Sequence, residues 1–316
     1  MELAPDFSFQ PLPAIQDQPP AATAVPLAEA AGGAAAAAPG PLGALAGLAG
    51  TWAGHGFNVI WRPNHTTGQD RFFELNLTSD QIEFSPISGA IPNRGLLQGD
   101  ISMFGLTYLQ QISDANLNAG LHIEPGLWVT IPRTTNPAVP PTVARLASIP
   151  HGTTIVTQGT ATTTSTGPTI PNTSIKPFPI GQPAQEIDFP EQTLATATGF
   201  RTGGAGLTGI TQAMVNNPNT VLQAANANQH FAATTTLHVT TTDTPVPGGG
   251  TANTAFLKGG AAGPNAVAVS VNSTFWLSTL PGQAAPTQLQ YAQTVLLNFN
   301  TLSWPHITVA TLHRQS

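Results

Sequence analysis

The sequence predicts an all-β protein: an antiparallel barrel of about ten strands with long loop insertions and one helical excursion. Three observations carry this. Short β-rich runs recur along the 316 residues, separated by turn residues that include 31 Gly and 30 Pro. The one convincing helical signal lies within residues 207–229, where Asn219 follows Pro218 at a capping position. Only 8% of residues are charged, against roughly 25% in average proteins. So few charges leave sheet edges unguarded, and closing the sheet into a barrel removes the edges.

Residues 1–41 read as a disordered Pro/Ala-rich tail, and residues 42–316 as one barrel domain with a loop and helix inserted around 159–229. The first 61 residues hold four acids and no Lys or Arg. That leaves no secretory n-region and favours a cytoplasmic location. The uncharged stretch 31–50 is broken by Pro39 and Pro41, so it reads as a linker and not as a membrane span.

Residues 42–50 have the spacing of two helical turns, and TWAGHGFNVIWRP then reads as a strand ending at Pro63. Strands at 71–77 and 81–85 flank Thr78-Ser79-Asp80, a hairpin-sized gap. One or two strands follow within 97–113, then one at 121–131 with Pro125-Gly126 as a bend or bulge. Strands at 142–149 and 153–158 flank a Pro-His-Gly turn. The Thr/Pro/Gly-rich stretch 159–206 reads as a lid or insertion. Strands resume at 230–242, 255–258, 267–279, 288–299 and 307–312.

Nine Lys and Arg cannot build a nucleic-acid-binding stripe. The absence of cysteine excludes disulfides, thiolate zinc sites and a cysteine nucleophile. No Walker loop, HExxH or GxSxG occurs, and GAGLTG at 204–209 lacks the preceding strand that a phosphate loop needs. The eight histidines are the main reactive inventory. Strand alternation puts His122 and Glu124 on one face, where each would tune the other for acid–base work. An ordinary rim ion pair is the alternative. His151, in SIPHGTT, could turn into a barrel mouth or be a plain turn residue. His306 shares a face with Trp304, Thr308 and Ala310. A neutral imidazole there suits an axial haem ligand, or a core histidine satisfied by a carbonyl. His55, in GHGF, is a lesser pocket candidate, and His65, His230, His238 and His313 read as surface residues.

Gly50-Thr51-Trp52 resembles the G-x-W signature of lipocalin-like barrels, in which the Trp plugs one end after a short helix. LAGTWAGHGFNVI is more particularly similar to the opening of the nitrobindin family of haem-binding barrels. LHIEPGLWVTIP and WPHITVATL resemble two later segments of that family, in the same order. The resemblance implies haem b ligated by His306 and chemistry on nitric oxide or peroxynitrite. On that reading Trp52, Phe57, Trp61, Trp128 and Phe299 are candidate lining or plug residues. The competing reading is a haem-free carrier or enzyme for a small apolar ligand, with His122, Glu124 and His151 as the acid–base set. A third is an adhesive surface protein. Charge is uneven: residues 62–145 carry twelve charged residues and residues 192–316 only four. The expectation is a proton-handling wall facing an apolar one.

Overall fold

The structure, a computed structural model, describes residues 40–65, 71–243 and 246–315. Nearly all of the expected tail 1–41 lies outside the described residues. Ten strands form a closed antiparallel barrel: β1 (Gly50–Arg62), β2 (Phe72–Pro86), β3 (Ile101–Asp114), β4 (Gly120–Ile131), β5 (Thr142–Ile149), β6 (Thr153–Thr164), β7 (Ala233–Thr240), β8 (Val267–Thr279), β9 (Gln288–Phe299) and β10 (Leu302–Arg314). Each pairs with the next in the chain, and β10 closes on β1 from Trp52↔Arg314 to Ile60↔His306. Gly56 allows that closure: a Cβ there would lie 2.0 Å from the Val309 carbonyl oxygen. Short strands add to the ring outside it, Ile91–Asn93 on β3, Gly250–Asn253 on β6 and Phe178–Pro179 on β10.

Period-two alternation splits the apolar residues into two cores. Inside the barrel, Trp52, Ile82, Leu106, Trp128, Phe275, Leu289 and Leu312 pack at one end. A 3₁₀ turn, Gly43–Leu48, plugs that end with Leu45 and Leu48. Trp52 Nε1 donates to the Leu48 carbonyl at 2.7 Å, and the Arg314 guanidinium lies 4.4 Å over the Trp52 ring. The plug expected from Gly-Thr-Trp is therefore present.

The second core lies on the outer face of β1, β2 and β10. Phe57, Val59 and Trp61 alternate with the inward residues of β1 and pair across to Phe73, Leu75, Ile307 and Val309. These residues are buried because the segment 165–232, between β6 and β7, covers them with Ile175, Ile210, Val215 and Leu222. That segment holds two short helices, α1 (Gln212–Asn216) and α2 (Thr220–Asn226). Trp61 Nε1 donates to the Ile175 carbonyl at 2.9 Å, and Gln290 Nε2 to the Leu222 carbonyl at 3.3 Å.

Several local expectations are corrected. Thr78-Ser79-Asp80 is no hairpin: β2 runs straight through it, with Thr78 and Asp80 buried on the interior side. Pro125-Gly126 does not break β4; Gly126 leaves room for the Tyr108 ring, whose Cε1 would lie 2.5 Å from a Cβ. The bulge falls earlier, where β4 places Leu121 between residues paired with Ile112 and Ser113. Residues 255–258 form a helical turn, Ala255–Lys258, and not a strand. β6 extends to Thr164, so the insertion starts later than 159. Asn219 does sit at the N-cap of α2, but its amide donates to the Pro171 carbonyl at 2.7 Å and does not cap with its side chain. No helix among the described residues is long and apolar enough to cross a membrane.

Candidate functional site

A cavity of about 280 Å³ opens at the barrel end away from the Trp52 plug. Its wall is drawn from both ends of the chain: Asn58, Ile60 and Arg62 from β1, Gln110 and Ile112 from β3, Leu121 and His122 from β4, Tyr291 and Gln293 from β9, and His306 and Thr308 from β10. His151, in the turn between β5 and β6, completes the rim. The bulge at Leu121 is what brings that side chain to the cavity, a common use of bulges near sites. An open trough of about 910 Å³ adjoins it and shares Ile112, Leu121, His122 and His151.

All four histidine and glutamate candidates meet here. His122 Nε2 lies 3.2 Å from Glu124 Oε2, and the His122 and His151 rings are 5.6 Å apart. Glu124 is fully buried and ion-paired to Arg145, itself buried. The Tyr108 hydroxyl also donates to Glu124 and accepts from Arg145 Nε at 2.8 Å. Arg145 Nη1 reaches Ser273 Oγ at 3.2 Å and Gln293 Oε1 at 2.5 Å. Burial works to raise the Glu124 carboxyl, but the Arg145 charge and the contacts with His122 and Tyr108 outweigh it and bring it to about 2. Glu124 is thus a fixed anion and cannot serve as a proton donor near neutrality. Its role toward His122 is to orient the ring.

His306 sits on the inner face of β10. Asn58 Nδ2 lies 2.8 Å from its Nε2 and 2.8 Å from Thr308 Oγ1. An amide donor on Nε2 fixes the tautomer with the hydrogen on Nδ1 and leaves a lone pair on Nε2. Burial, then the charges of His122 and His151, lower the His306 pKa to about 3. The ring is therefore a neutral base across the physiological range. Burial and the neighbouring His122 also lower His151.

Below the histidines lies a second polar group, Asp80 with Gln110 and Tyr291. Burial pushes Asp80 up to about 6, against the lowering effect of its Tyr291 and Gln110 hydrogen bonds. A raised folded pKa adds stability at pH below the unfolded value of 3.8, and that contribution is lost as pH rises through about 6. Asp80→Asn is therefore expected to stabilise the protein at pH 8 by up to about 3 kcal/mol and to gain little at pH 4. Chemical denaturation at the two pH values measures the difference.

The aromatic candidates are elsewhere. Trp52 and Trp128 belong to the interior core, and Phe57, Trp61 and Phe299 to the outer one; none lines the cavity. The wall from the charge-poor end of the chain is also not apolar. Tyr291, Gln293 and Thr308 supply it with neutral hydrogen-bonding groups, of which Gln293 meets Arg145 and Tyr291 meets Asp80. Sequence reasoning missed Asn58, Asp80, Tyr108, Arg145 and Tyr291. The available signal was Arg145 in TVARLASI, a lone charge inside an apolar strand.

No protein-family model matches the chain, and no curated protein matches it. Among solved structures the chain is similar to the crystal structure of Rv2717c from M. tuberculosis, at 14% identity and a TM-score of 0.42, over 88% of this chain and 98% of that one.

Proposed function

We propose that the barrel binds a haem at the histidine-lined mouth, where His306 would hold it. The observation that carries this is the His306 imidazole, a neutral base whose Nε2 lone pair meets only an amide donor at the cavity wall. That is the chemistry of an iron ligand. The Asn58 amide keeps Thr308 Oγ1 as a partner when Nε2 is taken. The cavity is slightly below the roughly 300 Å³ at which ligand pockets begin, so a haem held by His306 would have to reach beyond it. When bound, haem supplies redox chemistry and binding of small nitrogen oxides.

The chain's own residues would do the rest. His122 and His151 line the same cavity and can hold or deliver a proton to a molecule bound there. Glu124 and Arg145 fix the His122 ring. Hemin titration tests the reading. The expected result is a saturable Soret shift, with affinity at least about tenfold weaker, or 1.4 kcal/mol, in His306→Ala. An unchanged affinity in His306→Ala would refute it.

One observation favours a second reading, a haem-free site acting on a small ligand. His122, braced by a permanently ionised Glu124, is a general base in its own right. In that case no Soret shift appears, and a small molecule is recovered from the purified protein.

A further inference from the structure

Asp80 is a buried carboxyl inside the barrel, and neither reading above uses it. The Tyr291 hydroxyl donates to its Oδ2. Gln110 Nε2 donates to Asp80 at 3.1 Å from Oδ2 and lies 2.9 Å from the Tyr291 oxygen. Tyr291 and Gln110 both face the cavity. The Tyr291 ring is fixed from below by stacking on Phe275, with centroids 5.3 Å apart.

The direction of these hydrogen bonds depends on one proton. While Asp80 is ionised it can only accept, so the Tyr291 hydrogen is committed to it. When Asp80 takes a proton at Oδ2, its O–H becomes the donor and the Tyr291 oxygen the acceptor. Gln110 fills the second lone pair of that oxygen. The phenolic hydrogen must then turn away from Asp80, and the space open to it is the cavity. One proton enters, none leaves, and no bond between heavy atoms changes.

We propose that Tyr291 is the cavity's switched hydrogen-bond donor, offered to a small oxyanion such as a carboxylate only when Asp80 is protonated. The imidazoles of His122 and His151 line the same space, as do the Arg62 guanidinium and the Glu74 carboxylate paired with it. The raised pKa of Asp80 places the switch near pH 6. The charged groups acting on it are His122 and Glu124 of β4; Gln110 of β3 and Gly54, its partner on β1, carry no charge. This inference rests on the cavity being the ligand site, and it holds with or without haem.

The test is calorimetric titration of formate into the haem-free full chain at pH 5 and pH 8. The neutral fraction of Asp80 falls from roughly nine-tenths to about one-hundredth over that range, so affinity is expected to drop at least about tenfold. Asp80→Asn is neutral at every pH, and its formate affinity is expected not to vary with pH. Tyr291→Phe is expected to lose binding at both. The proposal is overturned if wild type does not bind formate at pH 5, or if Tyr291→Phe binds like wild type. It is equally overturned if the pH dependence survives in Asp80→Asn, which would assign it to His122 or His151. Infrared titration of wild type needs no variant: a neutral carboxyl band and a shifted tyrosine C–O band must grow in together near pH 6, and their absence overturns it. Hemin binding is read separately at the Soret band, so either idea can fail alone.

Discussion

Arg145→Met is expected to destabilise the protein by about 3–5 kcal/mol at pH 7, the usual effect of stranding one partner of a buried ion pair. Arg145 is 1% exposed and Glu124 0%, so water cannot replace the lost cation. The Tyr108, Ser273 and Gln293 contacts of the guanidinium go with it. Removing both charges, in Arg145→Met with Glu124→Gln, is expected to recover most of the loss, because no buried charge is then left unpaired. The pH dependence separates this from a packing defect. In wild type, Glu124 is held at about 2, so its contribution is present above its unfolded value of 4.5 and disappears as pH falls toward 2. In the single variant the Arg145 charge no longer opposes burial, and that carboxyl titrates higher than in wild type. The gap between variant and wild type should then narrow from pH 8 to pH 4. Urea midpoints across that range measure it, and a gap independent of pH would show that only packing was lost.

That pair also marks what the sequence could and could not disclose. Strand number, the barrel class and the plug were legible, because alternation and turn residues report on backbone geometry, and Trp52 follows a small-residue helical turn. His122 and Glu124 were legible as a pair, since strand period alone puts them on one face. Their partner was not. Arg145 lies on the next strand, and nothing in a one-dimensional pattern states which residues face each other across a barrel. Thr78-Ser79-Asp80 was misread for a related reason. Polar residues inside a strand look like a turn, yet here Asp80 is polar because the interior at that level is polar. The local rule failed at the candidate site itself, where such failures are expected.

Excising residues 165–232, with a short Gly-containing turn joining β6 to β7, is expected to leave a chain that aggregates and lacks a cooperative unfolding transition. Closure is not the obstacle, because Thr164 already pairs with Thr234 and a hairpin can bridge the gap. The obstacle is the outer face. Phe57, Val59, Trp61, Phe73, Leu75, Ile307 and Val309 are all 0% exposed under that cover. Exposing seven such side chains costs on the order of 10 kcal/mol or more, comparable to the whole stability of a typical domain. The sequence carried this signal in FNVIW, where an outward-facing row of Phe57, Val59 and Trp61 contradicts a barrel wet on its outside. The cover also bears on the site, because Ile307 and Val309 alternate along β10 with His306 and Thr308. Packing on the outer face therefore fixes the strand that presents the His306 imidazole inward. A second excised variant, with outer-face residues replaced by Thr and Gln, separates the two roles. If it is a soluble monomer by size exclusion but binds hemin more weakly than the full chain, the cover holds the register of β10. If the unsubstituted excision is itself a soluble monomer that melts within about 5 °C of the parent, the outer core contributes nothing and this account of the insertion is wrong.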